Sequence, residues 1–278
     1  MTVINTNVAA NNTYRMMSIA SEEKASSMEK LSSGLRINRA ADDAAGLSIA
    51  EGLRSQSNGL EVAARNINDA ISLAQTAEGG LSAAGDILQR VRDLAVQAGN
   101  DTLNTEARAA ITTEVTQLTA ELTRMSESIN FNDAKLLDGT GTFSFQVGAN
   151  GGTDAASSSD TIALSISTNL ADIATTVGAL DFSSADGASA AIVALDTAIT
   201  GISSDRSNIG AVQNRLEHTL KHVNVTAENL INAESNIRDV DMAKEIVKQS
   251  AANIKEQASQ AMLAQANQAS QNVLQLLR

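Results

Sequence analysis

Taken in steps of three and four from Leu60, the chain reads Leu60, Ala63, Ile67, Ala70, Ala74, Ala77, Leu81, Ala84, Leu88, Val91, Ala95 and Ala98. Every position is apolar. Heptad spacing of this kind lays one face of a long helix against a partner helix. Gly79, Gly80 and Gly85 interrupt the run and predict a bend, each at about 1 kcal/mol relative to alanine. Gly99-Asn100-Asp101-Thr102 predicts a helix stop and turn. A second stripe follows at Ile111, Val115, Leu118, Leu122, Met125 and Ile129. A third runs through Ile209, Val212, Leu216, Val223, Leu230, Ala233, Ile237 and Val240, with Thr219 and Thr226 in its gaps. Three such stripes bury one another in an antiparallel bundle.

The pattern changes between Gly139 and Ser204. Thr142 to Val147 alternates polar and apolar, as does Thr161 to Ile166, and the two segments predict paired strands. Ala149-Asn150-Gly151-Gly152 is a turn signal, and Ala188 to Ile202 reads as a short helix. Eight of the 17 glycines and six aspartates lie in this region, which has no lysine or arginine. It predicts a small peripheral module and not a core.

The two ends are helix-compatible, but their apolar stripes are thin. Residues 3–35 offer Ile4, Val8, Ile19, Met28, Leu31 and Leu35, with Asn, Ser and Thr between. Residues 243–277 offer Ala243, Val247, Ile254, Ala261, Met262, Val273, Leu276 and Leu277, with Gln, Asn and Ser between. Helices like these bury too little apolar surface to outweigh the entropy of ordering them alone. They are expected to order when neighbouring chains surround them.

Composition sharpens the picture. The 278 residues contain no proline, as long uninterrupted helices require, and aromatics make up only 2%, namely Tyr14, Phe131, Phe143, Phe145 and Phe182. With no cysteine, disulfides and thiolate chemistry are excluded. The net charge of −12 sits in the middle: residues 1–40 carry +2, residues 241–278 carry +1 and residues 41–240 carry −15. An acidic chain poor in aromatics argues against nucleic-acid binding. Near-neutral ends suit packing against copies of themselves. Residues 1–7 have no basic cluster and no apolar run, so no cleaved secretory signal is expected, and the short apolar run Ala190–Leu195 predicts no membrane insertion.

Several stretches closely resemble flagellin. Leu31-Ser32-Ser33-Gly34-Leu35-Arg36-Ile37-Asn38-Arg39-Ala40-Ala41-Asp42-Asp43-Ala44-Ala45-Gly46-Leu47 is similar to the N-terminal signature of that family. Ile71 to Leu81, Leu88 to Gln97, Phe131-Asn132 and Lys135 to Gly139 follow in the family's order. In the C-terminal half, Ile209 to Glu217, Ile237 to Ala243, Met262 to Gln268 and Gln271 to Arg278 match as well.

The resemblance implies a mainly α chain. Its ends, 1–40 and 241–278, pair as an antiparallel coiled coil lining the inner tube of a filament. Residues 41–138 and 205–240 form a helical rod, and 139–204 is a short variable region with a β-hairpin, so this is a short type of flagellin. It implies a structural subunit, not an enzyme, that self-assembles into the helical flagellar filament used for swimming. It also implies export unfolded through the flagellar type III apparatus with an export chaperone, and growth at an extracellular tip beneath a cap protein, on hook-associated proteins. No cofactor is implied. The residues expected to hold subunits together are Val8, Ile19, Met28, Leu31, Leu35, Val247, Ile254, Met262, Val273, Leu276 and Leu277. A hook-filament junction protein is the alternative, because such proteins resemble flagellin at both termini. A coiled-coil signalling module also fits the heptads, but not the Gly- and Asp-rich middle.

Three smaller features carry chemistry. Gln89, Arg90, Leu94 and Glu114 match the flagellin segment bound by the vertebrate Toll-like receptor 5, with Asp93 standing where Glu is usual; their plain role is packing. Ser157, Ser158, Ser159 and Thr161 resemble the O-glycosylated residues of flagellins and otherwise read as a solvated loop. His218 and His222 share a helix face at metal-ligand spacing, but the intervening Thr219-Leu220-Lys221 lacks the glutamate of a zinc-peptidase motif, and they read as surface histidines.

Overall fold

The computed structural model describes residues 6–139, 141–150 and 160–276, the side chains of 270–276 excepted. Its order is α1 (Val8–Ser33), α2 (Ala44–Ala98), α3 (Thr105–Ser128), β1 (Asn130–Phe131), β2 (Ala134–Lys135), β3 (Thr142–Gln146), β4 (Thr161–Ser165), α4 (Leu170–Gly178), α5 (Ala185–Arg238) and α6 (Met242–Leu276). Two compact units divide it. The middle unit is Gln56–Glu228; the terminal unit joins Met1–Ser55 to Asn229–Arg278.

In the middle unit the α2 stripe is the core. All twelve positions from Leu60 to Ala98 are at most 7% exposed. Leu73 and Leu94 widen the same face. α5 runs antiparallel to α2. Ion pairs join Arg92 to Asp196 (2.6 Å) and Arg206 to Glu78 (3.1 Å) along its length. α3 also runs antiparallel to α2, tied by Arg90–Glu114, and buries Ile111, Val115, Leu122 and Met125. The glycines do not interrupt α2. At Gly80 a Cβ would stand 2.7 Å from the Ile129 side chain, so glycine there permits a close approach, whereas Gly79 faces open space.

β3 and β4 pair antiparallel with Thr142 opposite Ser165 and Gln146 opposite Thr161. Ile162, Leu164 and Ile166 turn inward and are buried. Buried Asp205 of α5 anchors the exit from β4, accepting from the Ser167 and Thr168 backbone N–H groups (3.0 and 2.7 Å) and the Ser167 hydroxyl (2.9 Å). Two features depart from the sequence pattern. α4 forms where no helix was expected. The helix expected at Ala188–Ile202 is the first part of one continuous α5 that carries the third stripe. α5 also holds a stretch long and apolar enough, by length and composition alone, to cross a membrane, although the sequence predicts no insertion. Its Ala188, Ala191, Leu195 and Ile202 are buried in the unit's own core, and Asp196 pairs with Arg92, as in a core helix of a folded unit.

In the terminal unit α1 and α6 lie antiparallel. Asn7 donates to the Ala266 carbonyl at one end (3.1 Å), Lys24 pairs with Glu256 (2.9 Å) and Lys255 with Glu23 (3.1 Å) midway, and Ser27 donates to Glu245 (2.7 Å) at the other. The third stripe loses burial on entering this unit: Leu230, Ala233, Ile237 and Val240 are only half-buried.

Candidate functional site

The α1–α6 seam follows heptad spacing, but its fully buried residues are small or polar, and its larger apolar residues, Met17, Leu31 and Leu263, are only half-buried. At heptad spacing the less exposed positions on α1 are Ala10, Thr13, Met17, Ala20, Lys24, Ser27 and Leu31, with Glu29 and Lys30 half-buried beside them; on α6 they are Glu245, Gln249, Ala252, Glu256, Ser259, Leu263 and Ala266, with Asn253 half-buried beside them. Among the described residues of the two helices, only Ala20, Ser27, Glu245 and Ala252 are fully buried. Two buried alanines, with Met17, Leu31 and Leu263 half-buried beside them, remove only a modest apolar area from water, at roughly 25 cal/mol per Å². Ordering either helix costs on the order of 1 kcal/mol per residue. The chain's own seam is therefore a weak clamp.

Most of the large apolar side chains point elsewhere. Val8 (61% exposed) and Ile19 are three turns apart on the face of α1 away from the seam. Val247 and Ile254 (67% exposed) are two turns apart on the far face of α6. Met28 and Met262 flank the seam and are exposed, whereas Leu31 and Leu35 are half-buried. Val273 and Leu276 lie in α6, but their side chains, like Leu277, fall outside the described residues. Hydrophobic patterning thus picked out mainly the outward faces and, apart from Leu31, missed the seam, whose alanines, serine and charges carry no apolar signal. It also passed over exposed Tyr14, Met16, Met242 and Ile246.

Two helix breaks lie side by side at one end of the pair. Gly34 closes α1 with φ +73°, a left-handed conformation glycine adopts without strain. Leu35 then bridges Asp239, Arg36 N–H donates to the Arg238 carbonyl (2.6 Å), and Val240 N–H donates to the Gly34 carbonyl (3.0 Å). Ile37 is buried in the turn. Each outgoing helix begins on an aspartate: Asp43 accepts from Gly46 N–H (2.9 Å) and Asp241 from Lys244 N–H (3.1 Å), a capping role for Asp43 in keeping with its place before α2. The N–H groups of Arg39 and Asn38 hold the Asp42 carboxyl below its ordinary range, and the N–H and ammonium of Lys244 do the same for Asp241. At Glu245 burial pushes the pKa up, but the Ser27 hydroxyl, the Lys248 ammonium and the Lys30 charge outweigh it, and the net shift is downward.

The remaining candidates lie in the middle unit. Gln89 is exposed, Arg90 holds Glu114 with two N–H donors (2.9 and 2.6 Å), and Leu94 is 2% exposed, beneath them in the core. Thr161 opens β4, while Ser157, Ser158 and Ser159 lie outside the described residues. His218 and His222 are exposed on α5. Among the described residues no three His, Asp or Glu side chains gather as a metal site.

Comparison with known proteins returns one family over both halves. Residues 4–142 match the bacterial flagellin N-terminal helical region, and residues 192–277 the bacterial flagellin C-terminal helical region. A flagellin of Halalkalibacterium halodurans is 50% identical, over 99% of this chain and all of the relative. A flagellin of Bacillus subtilis is 47% identical, over 99% of each. A flagellar filament 33 kDa core protein of Treponema phagedenis is 42% identical, over 99% of this chain and all of the relative.

Proposed function

Because this chain belongs to the bacterial flagellin family, whose members are structural proteins of the extracellular flagellar filament and not enzymes, we propose that copies join through the faces of α1 and α6 that their own pairing leaves uncovered. One observation carries this reading: the fully buried residues of the seam are small or polar and its larger apolar ones only half-buried, while Val8, Ile19, Val247 and Ile254 face outward. Neighbouring copies supply the apolar burial that the seam lacks. The surfaces contacting successive copies differ, and heterologous contacts of this kind do not close on themselves, so they build an open helix. A clamp weak in the single chain also keeps free chains from polymerising early.

The test uses purified full-length protein, salted out with ammonium sulfate, which strengthens apolar burial, and viewed by negative-stain electron microscopy. Long uniform tubes are expected. Val247→Asp with Ile254→Asp is expected to abolish them while leaving the monomer's thermal melt in place, because both residues are solvent-exposed. Tubes formed by the double variant would overturn the assignment of these faces. The hook-filament junction alternative has no observation of its own in its favour.

The finer partners belong to the same reading. Export without a cleaved signal through the type III apparatus, with its chaperone, fits a chain whose ends are weakly ordered until they meet copies. A cap protein and hook-associated proteins would hold the two ends of the polymer. For Toll-like receptor 5, the accessible contacts would be Gln89 and the Arg90–Glu114 pair, with Leu94 supporting them from beneath. Receptor signalling that survives Arg90→Ala would remove that partner. O-glycosylation is proposed at Thr161 and, outside the described residues, at Ser157, Ser158 and Ser159.

A further inference from the structure

The chain has seven methionines, no cysteine and no tryptophan. The methionine thioether is then its most readily oxidised side chain. The seven are unevenly placed. Met125 is buried in the middle unit. Met16, Met28, Met242 and Met262 are exposed on the terminal pair, with Met17 half-buried beside them. Two of them converge. Met16 of α1 (56% exposed) and Met262 of α6 (58% exposed) line one open groove of about 360 Å³, floored by Thr13, Ala258 and Ser259 and edged by Arg15. Methionine is flexible and polarisable, suited to filling an irregular gap against a partner surface. It also changes character when oxidised.

We propose that Met16 and Met262 form a redox-sensitive modification site that governs whether a free chain can join a polymer; this rests on the assembly reading above. The reactant is a hydroperoxide-class two-electron oxidant such as hydrogen peroxide. The thioether sulfur attacks one peroxide oxygen, the S–O bond forms as the O–O bond breaks, and the departing hydroxide takes up the remaining proton. The products are one sulfoxide and one water; sulfur is oxidised by two electrons and the peroxide reduced by two. In the free chain the sulfoxide is hydrated and the fold is little disturbed. Beneath a second copy it gives up its hydration and the apolar contact of the thioether is lost, which disfavours contact. Copies already assembled shield the same sulfurs. Reduction of the sulfoxide by a methionine sulfoxide reductase restores the apolar surface.

The experiment treats full-length monomer with limiting hydrogen peroxide, maps sulfoxides by peptide mass spectrometry and measures the critical concentration for sedimentable polymer. Met16 and Met262 are expected to be oxidised at least tenfold faster than Met125, and the critical concentration to rise at least tenfold. Incubation with methionine sulfoxide reductases returns it to the untreated value. Met16→Leu with Met262→Leu, compared with its own untreated sample, shifts less than twofold on peroxide. Oxidation of Met125 at the same rate, or oxidised chains polymerising like untreated ones, overturns the site. An equal peroxide response in the double variant assigns the effect to other residues and overturns it too. Untreated protein that never polymerises defeats the assembly reading instead, and the peptide map still decides whether the two sulfurs are the reactive ones.

Discussion

α2 and the α1–α6 pair follow the same heptad rule and use it in opposite ways. In α2 the twelve stripe positions are apolar and buried within the chain. In the pair the heptad seam holds Thr13, Lys24, Ser27, Glu245, Gln249 and Glu256 beside half-buried Met17, Leu31 and Leu263, and most of the large apolar residues face outward. A repeat of three and four says only that two helices will meet. The side chains on it decide whether that meeting suffices for one chain or needs another. The middle unit holds an apolar core of its own, and on the assembly proposed above the terminal pair would be completed by other copies.

The sharpest way to break this comparison is a truncation on each side of it. Leu88→Ala, in the buried stripe, should destabilise the monomer by about 2–5 kcal/mol through lost transfer energy and a cavity. Ile254→Ala should change it by no more than about 0.5 kcal/mol. Thermal melts followed by circular dichroism check both; a large loss at Ile254 would mean the outer face already has a partner inside the chain.

A smaller effect should come from making the seam resemble the core. Ser27→Ala with Glu245→Leu replaces a buried charged hydrogen bond by apolar contact, and such replacements are neutral or stabilising by about 1–4 kcal/mol. Slower proteolytic cleavage of residues 8–33 and 242–276 in the monomer is the readout, and faster cleavage would show that the polar pair holds the helices together.

Acid should act in the same place. Glu245, Asp42 and Asp241 all titrate below their ordinary values of 4.5, 3.8 and 3.8 in the fold. Their ionised forms therefore stabilise it, fully above those values, and the stabilisation is lost as pH falls through the depressed folded ones. Asp181 and Glu121 in the middle unit shift the same way, for Ser183 and Arg124 respectively, but that unit has the α2 core beneath them. Protease mapping from pH 5 downward should find the terminal helices cut first; simultaneous cutting of both units would remove the distinction. The least effect is expected at Glu61→Gln, which breaks the exposed 3.5 Å pair with Arg65 and should cost about 0.3–0.5 kcal/mol, a small and salt-sensitive change in the melt.

The same contrast explains what could be read from the chain. The α2 stripe was legible because burial there is apolar at each step. The alternation at 142–147 and 161–166 was legible because Ile162 and Leu164 turn inward from strands of period two. The mainly α architecture and the filament role followed from motifs at both ends. The α1–α6 seam was not legible, since Ala20, Ser27, Glu245 and Ala252 differ little from surface residues until a partner helix covers them. The continuity of α5 was hidden by the glycine- and aspartate-rich stretch before it. Asp205 gave no signal at all, because its three donors come from residues about forty positions earlier in the chain.

The paired breaks have a consequence for how the molecule comes apart. The turn after Gly34 and the turn before Met242 are laced by backbone bonds, with Ile37 sealed beneath, and each adjoining helix starts on its own aspartate cap. Fraying that begins at the chain ends can run through α1 and α6 and then meets a point where the next helices no longer depend on the last. The terminal pair is thus expected to unfold as a cooperative unit of its own, with the paired breaks at 34–43 and 239–241 as its edge. Amide exchange would draw that edge as a step in protection at the same height on both strands of the chain.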